Sequence, residues 1–326
     1  MSRRNKILAF IGVEYVLVAV CTLPLFLLDA EPMGPLMLLV SVVFMFLPAL
    51  SALIVRRLSG DRSGLFLRPN IRGTRKQYLM AAFLPGALTM AGAALYFLLF
   101  PGDLDLTMGY MSELLALSGQ AVEVPAATLP QLIGAGLLLT LIAPLVVVNH
   151  IAAFGEELGW RGHLLPLLIE GLGERRAVLL DGVLWGIAHA PLVCFGLNYT
   201  GEYPGAPFTG ILMMTVFATV SGIFMSYLTL RSGSIWPACI AHGAVNAVRE
   251  APLLICAAGY DALLGPKPSG LIGMAGFIIM GVLLMFRLEK RPEKAKERTG
   301  GQHTVSRNNK GRTKSHQGKL KVPYLG

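Results

Sequence analysis

The chain has 326 residues, 54% of them hydrophobic and 14% charged, with a mean hydropathy of +0.61 and a formal net charge of +9. That composition excludes a water-soluble fold of this size, which needs more polar surface, and points to a polytopic membrane protein. The positive balance follows short loops and the C-terminal tail, so topology and anionic lipid account for it before nucleic acid does, and no nucleic-acid partner is expected.

Eight apolar stretches approach or reach the ~20 residues that a helix needs to cross a hydrocarbon core about 30 Å thick. They are drawn at roughly 7–28, 35–55, 78–100, 131–153, 176–197, 208–230, 235–257 and 269–286. The first, preceded by Arg3, Arg4 and Lys6, has the look of a signal peptide, but no Ala-x-Ala cleavage site follows and a retained span is expected. Glu14 within it reads as an interhelical hydrogen-bonding group. The connection from Pro101 to Pro130 holds a helix-like piece around Tyr110–Leu117. Beyond Phe286 the composition turns to Lys, Arg, Gly, Asn, Gln and Ser, too polar to fold alone.

Short loops rich in Lys and Arg stay in the cytoplasm. Apart from Arg249 and Lys267, every Lys and Arg falls at the N-terminus, in Arg56–Lys76, in Arg161–Arg176, at Arg231 or from Arg287 onward, which are alternate connections. The intervening loops carry Asp29, Glu31, Asp103, Asp105, Glu113, Glu123, Glu202 and Asp261. The expected architecture is therefore all-α: a multi-pass membrane protein of about eight transmembrane helices with both termini cytoplasmic, in a bacterial cell membrane. A membrane-embedded domain spans 1–286 with its motif core at 150–257, and residues 287–326 form a basic, disordered tail attracted to anionic lipid. Cys21, Cys194, Cys239 and Cys256 lie within apolar stretches without a Cys-x-x-Cys pair, and read as small buried thiols.

Ionisable groups inside a membrane are expensive, so a gathering of them is a functional-site hypothesis by default. Three constellations stand out. In Gly155-Glu156-Glu157-Leu158-Gly159-Trp160-Arg161, Glu157 and Arg161 are four apart, in the order that favours an ion pair on one helix face. Glu156 points about 100° away from its neighbour, free to face a cavity. Trp185 and His189 form a second i, i+4 pair, and His242 and Asn246 a third. Hydrolysis of a peptide bond needs an activated water, a general base and donors for the oxyanion. A carboxylate, two imidazoles and an amide supply that inventory, and no Ser or Cys occupies a recognisable nucleophile motif. Nearby polar groups read as structural: His163 as solvated, Asn149 and His150 as interhelical, Asp181 as a partner of Arg175 or Arg176, and Arg249 as a partner of Glu250.

At these residues the chain resembles the CPBP family of intramembrane proteases, which includes the type II CAAX prenyl endopeptidases and bacteriocin-processing or self-immunity proteins. The family's Glu-Glu-x-x-x-Arg matches Glu156, Glu157 and Arg161; its aromatic-x-x-x-His matches Trp185 and His189, with Trp in place of the commoner Phe; its His-x-x-x-Asn matches His242 and Asn246. The resemblance implies an intramembrane endopeptidase acting on membrane-held peptides, prenylated CAAX-type or bacteriocin-like. It further implies that Glu156 and His189 activate water and that His242 and Asn246 form the oxyanion hole. The cavity is expected to open toward the cytoplasm. Two forms of the chemistry stay open: a zinc site of Glu156, His189 and His242 with one position for water, or a metal-independent glutamate protease. The alternative from another class is a non-enzymatic carrier, or an immunity or scaffold protein, that uses the same cluster for ligand binding or stability.

Overall fold

The computed structural model describes residues 1–31, 34–117, 128–199 and 203–289. The described chain is all-helical, its only β-type contact being an isolated bridge between Leu104 and Cys256. The elements in order are α1 (Arg3–Leu27), α2 (Pro35–Phe44), α3 (Leu47–Ser59), α4 (Arg75–Leu99), α5 (Gly109–Leu117), α6 (Leu129–Ile142), α7 (Val147–Glu157), a π-helical segment (Leu158–Leu164), α8 (Leu165–Leu172), α9 (Glu174–Ala188), α10 (Ala190–Cys194), α11 (Phe208–Ser232), α12 (Trp236–Val248) and α13 (Ala275–Arg287).

Local chemistry sets several of these boundaries. The Ser2 hydroxyl accepts from the Asn5 amide at the start of α1, and Pro35 opens α2, where a missing N–H leaves nothing unsatisfied. Gly60 and Gly233 end α3 and α11 in the left-handed conformation. Pro144 sits in the break between α6 and α7, where the segments Pro130–Leu145 and Val147–Leu172 bend by 60°.

Among the described residues four helical segments are long and apolar enough to cross a membrane, namely Arg3–Leu27, Pro35–Ser59, Arg75–Leu99 and Phe208–Ser232, or five if the bent pair counts as one. This differs from the eight expected spans. α9 has 15 residues and α12 and α13 have 13 each, about 20 Å of helix at ~1.5 Å per residue. The apolar runs continue, but the helices do not. Pro191 follows α9, Ala251–Ile255 tightens into a 3-10 turn after α12, and α13 begins only after a Gly- and Pro-rich approach at 265–273. The α5 helix coincides with the expected helical piece. The tail expected to be disordered lies, from residue 290, outside the described residues.

The loops gather at two ends of the bundle. At one end Lys6 pairs with Asp61 (2.7 Å) and Arg231 with Glu174 (3.7 Å), while Arg175 donates to the Leu288 carbonyl (3.0 Å). At the other end the Ala257 amide donates to the Asp103 carbonyl (2.8 Å), and the Tyr199 hydroxyl to the Ser269 carbonyl (2.7 Å). The first end carries the basic connections and the second the acidic ones. Between them lies a core in which α9 packs along α11. The approach is close because Gly182 and Gly186 face the Cα atoms of Thr219 and Thr215; a Cβ there would come within 2.7 and 2.5 Å of them. Gly155 and Gly159 similarly let the first motif lie against Met45–Pro48, between α2 and α3.

Candidate active site

All three motifs meet in the middle of the bundle, and their charged members are almost fully withdrawn from solvent: Glu156 is 2% exposed, Glu157 and Arg161 0%, His189 7% and His242 5%. The two carboxylates diverge. Glu157 Oε1 accepts from Arg161 Nη1 (3.1 Å) and from His242 Nδ1 (2.9 Å). Glu156 turns into a cavity of about 270 Å³ whose walls include His189, His242, Asn246 and Trp185. One Glu156 oxygen accepts a hydrogen bond from the indole N–H of Trp185; the other, Oε1, lies 4.0 Å from His242 Nε2.

The hydrogen-bond partners define the tautomers. The Trp185 carbonyl can only accept, so His189 Nδ1 (2.9 Å away) carries a proton. The carboxylate of Glu157, paired with Arg161, likewise calls for the proton on His242 Nδ1. In the neutral form of each imidazole, Nε2 is then the acceptor. Glu156 Oε1 and His242 Nε2, both acceptors and 4.0 Å apart, are spaced for one water donating to each. Asn246 on the same wall supplies an amide donor.

Behind the cavity, Arg161 is clamped by Glu157, by Asp181 (Nε to Oδ2, 3.4 Å) and by the face of Trp185, 4.3 Å from the guanidinium carbon. The winding of the chain from Leu158 to Leu164 as a π-helix accompanies this turn of Arg161 into the core; such segments recur at functional sites. The Trp185 ring also meets His189 and His242 edge-on, at 5.8 and 5.3 Å between centroids.

The meeting of His189 and His242 in one cavity has a long-range cause. Counted from the basic end, His189 stands a full helix length up α9, whereas His242 is barely two turns into α12. The chain 60–74 covers the turn before α12: Ile235 N donates to the Phe66 carbonyl (3.0 Å), Trp236 Nε1 to that of Leu67 (2.7 Å) and Asn70 Nδ2 to that of Gly233 (2.9 Å). That turn is seated beneath a loop, and the α12 that follows it brings His242 to the cavity lined by His189.

Several secondary expectations change. His163 is buried against the Phe10 ring (5.5 Å) rather than solvated, because the π-helical segment rotates it inward. Asp181 pairs with Arg161, not with Arg175 or Arg176, and so joins the site from behind. Asn149 lines the cavity. His150 Nε2 lies 2.9 Å from the Pro144 carbonyl, across the helix break, and Arg249 pairs with Glu250 (3.4 Å) while also lining the cavity. Glu14 accepts from the Ser51 hydroxyl (2.7 Å), an interhelical bond between α1 and α3. The four cysteines are free; Cys239 and Cys256 are buried, but Cys194 is exposed and Cys21 half-buried.

The proposed zinc set fits in chemistry but not in placement. Each of Glu156, His189 and His242 has its other polar atom engaged, as metal ligands do. Yet among the described residues no three His, Cys, Asp or Glu side chains converge closely enough to hold a metal ion.

The cavity also opens in a direction the loop charges do not suggest. A second cavity of about 340 Å³ shares Leu38, Ser41, Leu197, Asn198 and Arg249 with the first and continues to Tyr110, Glu250 and Lys267, at the end with acidic loops. Toward the basic end the way is filled by Trp160, Arg161, Leu164 and Leu165, each at most 1% exposed. The cavity, expected to open toward the cytoplasm, is thus continuous with the space beside the loops that hold Tyr110, Glu250 and Lys267.

Residues 137–248 match the family described as type II CAAX prenyl endopeptidase, Rce1-like. The matched residues include all three motifs. A relative named CAAX prenyl protease 2, from Methanococcus maripaludis, is 29% identical over 108 residues, which cover 33% of this chain and 40% of that protein. The Rce1-like stretch runs from the middle of α6 to the end of α12 and holds every residue of the three motifs. The three apolar helical segments that precede it lie outside the match.

Proposed function

We propose that this protein is an integral membrane endopeptidase of the CAAX-processing type, with eight helical passes, cytoplasmic termini and a basic tail drawn to anionic lipid. Its substrates are membrane-held peptides, prenylated CAAX-type or bacteriocin-like. The observation that carries the reading is the 4.0 Å gap between Glu156 Oε1 and His242 Nε2, two acceptors facing one cavity within an Rce1-like stretch.

In the proposed reaction a water donates one hydrogen to Glu156 Oε1 and the other to His242 Nε2, leaving its lone pair aimed at the scissile carbonyl carbon; His242 thus holds the water in place of the oxyanion role expected of it from the resemblance, which falls to Asn246 alone. As the new C–O bond forms, Glu156 takes a proton and the carbonyl oxygen becomes an oxyanion. Asn246 donates to that oxyanion. The C–N bond then breaks while Glu156 returns its proton to the leaving amine, giving a free carboxyl and a free amine. His189, fixed through the Trp185 carbonyl, borders the same space and walls the position that the water and the peptide share. Glu157, Arg161 and Asp181 do not touch substrate; they hold His242 and the floor of the cavity.

The test is cleavage of a lipid-modified peptide by purified protein in detergent or proteoliposomes, read by mass spectrometry, with Glu156→Gln as control. A folded protein that leaves every such peptide intact would refute the reading. Activity is expected to survive a zinc chelator, because the donors are held apart; loss with chelator, restored by added zinc, would reverse that expectation.

A further inference from the structure

Helix α12 presents one more group to the cavity that holds Glu156. His242, Asn246 and Arg249, the last of them the C-cap of α12, stand four and three residues apart, so they share one face of the helix, and all three line that cavity. The proposed reaction uses the first two and leaves Arg249 without a task. Its Nε lies 3.4 Å from Glu250 Oε1, and among the described residues its two Nη groups have no ion-pair partner.

Stability does not account for this cation. The Arg249 and Glu250 side chains are 35% and 51% exposed, and an ion pair so solvated contributes little to a fold. Glu250 is also shared, since its other oxygen, Oε2, lies 3.2 Å from Nζ of the buried Lys267. One carboxylate thus faces two cations, which leaves one positive charge over. With both imidazoles neutral, Glu156 and Arg249 are the charged groups among the residues lining the cavity. One stands at the reacting bond, the other a helical turn beyond the oxyanion amide.

We propose that Arg249, steadied by Glu250 and Lys267, is the binding site for the free C-terminal carboxylate of the substrate peptide. This rests on the peptidase reading of Glu156 and Asn246, and adds to it the end of the peptide that is recognised. A planar guanidinium with unpaired Nη groups matches a carboxylate as a bidentate pair, and beside a poorly solvated cavity that attraction exceeds its value on an open surface. Arg249 lies three residues beyond Asn246, ~4.5 Å of helix rise, to which the side chain adds its own length. An extended peptide advances ~3.3–3.6 Å per residue, so about two to four residues fit between the cut bond and the carboxylate. The substrate class is then a membrane-held peptide cut close to its free C-terminus, and Arg249 holds the piece that leaves with the new amine.

The test uses pairs of lipid-anchored peptides that differ only in ending as a free carboxylate or as a carboxamide, given to the purified protein in detergent. The unaltered protein is expected to cut the carboxamide with kcat/KM lower by about 10- to 100-fold, mostly through KM. Arg249→Gln should cut both peptides at the carboxamide's rate. Equal cutting of the two by the unaltered protein, or an equal loss on both in Arg249→Gln, overturns the proposal. Binding of the same pair to Glu156→Gln, read by fluorescence anisotropy, decides the point without cleavage: tighter binding of the carboxylate peptide supports the site, and equal binding overturns it. A pair that binds unequally yet is never cut by the unaltered protein counts against the peptidase reading alone.

Discussion

The two ends of this bundle are built for different tasks. At the basic end ion pairs and main-chain bonds tie α1, the 60–74 connection, the α8–α9 turn and the last turns of α11 and α13 together over a packed floor. At the acidic end two adjoining cavities run inward as far as Glu156 and His189. The same motif serves both: Glu157 and Arg161 face the closed half, Glu156 the open one. A single pair of neighbouring carboxylates thus separates stability from chemistry. Substitutions on the two sides of the motif should differ accordingly, in rate on one side and in folded yield on the other.

The largest effect is expected from Glu156→Gln, which keeps the shape and removes the base. Peptide cleavage should fall ~10²- to 10⁴-fold with yield and melting temperature unchanged. Loss of folded protein instead would erase the distinction between the two halves. Next is Arg161→Met on the closed side. It leaves Glu157 and Asp181 as uncompensated buried charges, a loss of about 3–5 kcal/mol in stability that thermal unfolding in detergent would register. A variant that stayed folded and lost only rate would move Arg161 to the catalytic half.

Asn246→Ala should then lower the rate about 10²-fold, through kcat more than KM, if its amide meets the oxyanion and not the ground-state peptide. The smallest change is Trp185→Phe, the residue more usual in the resembling family. It keeps the ring against His189 and His242 and deletes one N–H donor to Glu156. A hydrogen bond to a charged group contributes about 1.5–3 kcal/mol in full, but the carboxylate regains part of this from water in the cavity, so a loss of about tenfold, the lower end of that range, is expected, measured as kcat/KM on a single peptide. An unchanged rate would mean that the indole N–H serves packing and belongs with the closed half.

Much of this was legible in the chain. Membrane residence follows from composition, and the helical class from apolar runs of the length a bilayer demands. The divergence of Glu156 and Glu157 needs only their adjacency on a helix, and the Glu157–Arg161 pair only a spacing of four. The place of Asp181 was not legible, since nothing local distinguishes pairing with Arg175 or Arg176 from pairing with Arg161; that choice depends on how the π-helical segment turns. The lengths of α9, α12 and α13 were overdrawn for a related reason. Hydropathy reports apolar chain, whereas Pro191 and the Gly-Pro run at 265–273 decide where it stops being helix.

By itself, the order of residues determined the material of this protein: apolar passes, alternating loop charge, and a carboxylate, two imidazoles and an amide at helical intervals. Only the tertiary structure decided that these groups share one cavity, with the 60–74 loop seating the start of the α12 that carries His242 and Asn246. It alone also decided that the cavity faces away from the basic loops. Periodicity and spacing act within a few turns of one helix, while convergence and direction arise from contacts between segments far apart in the chain.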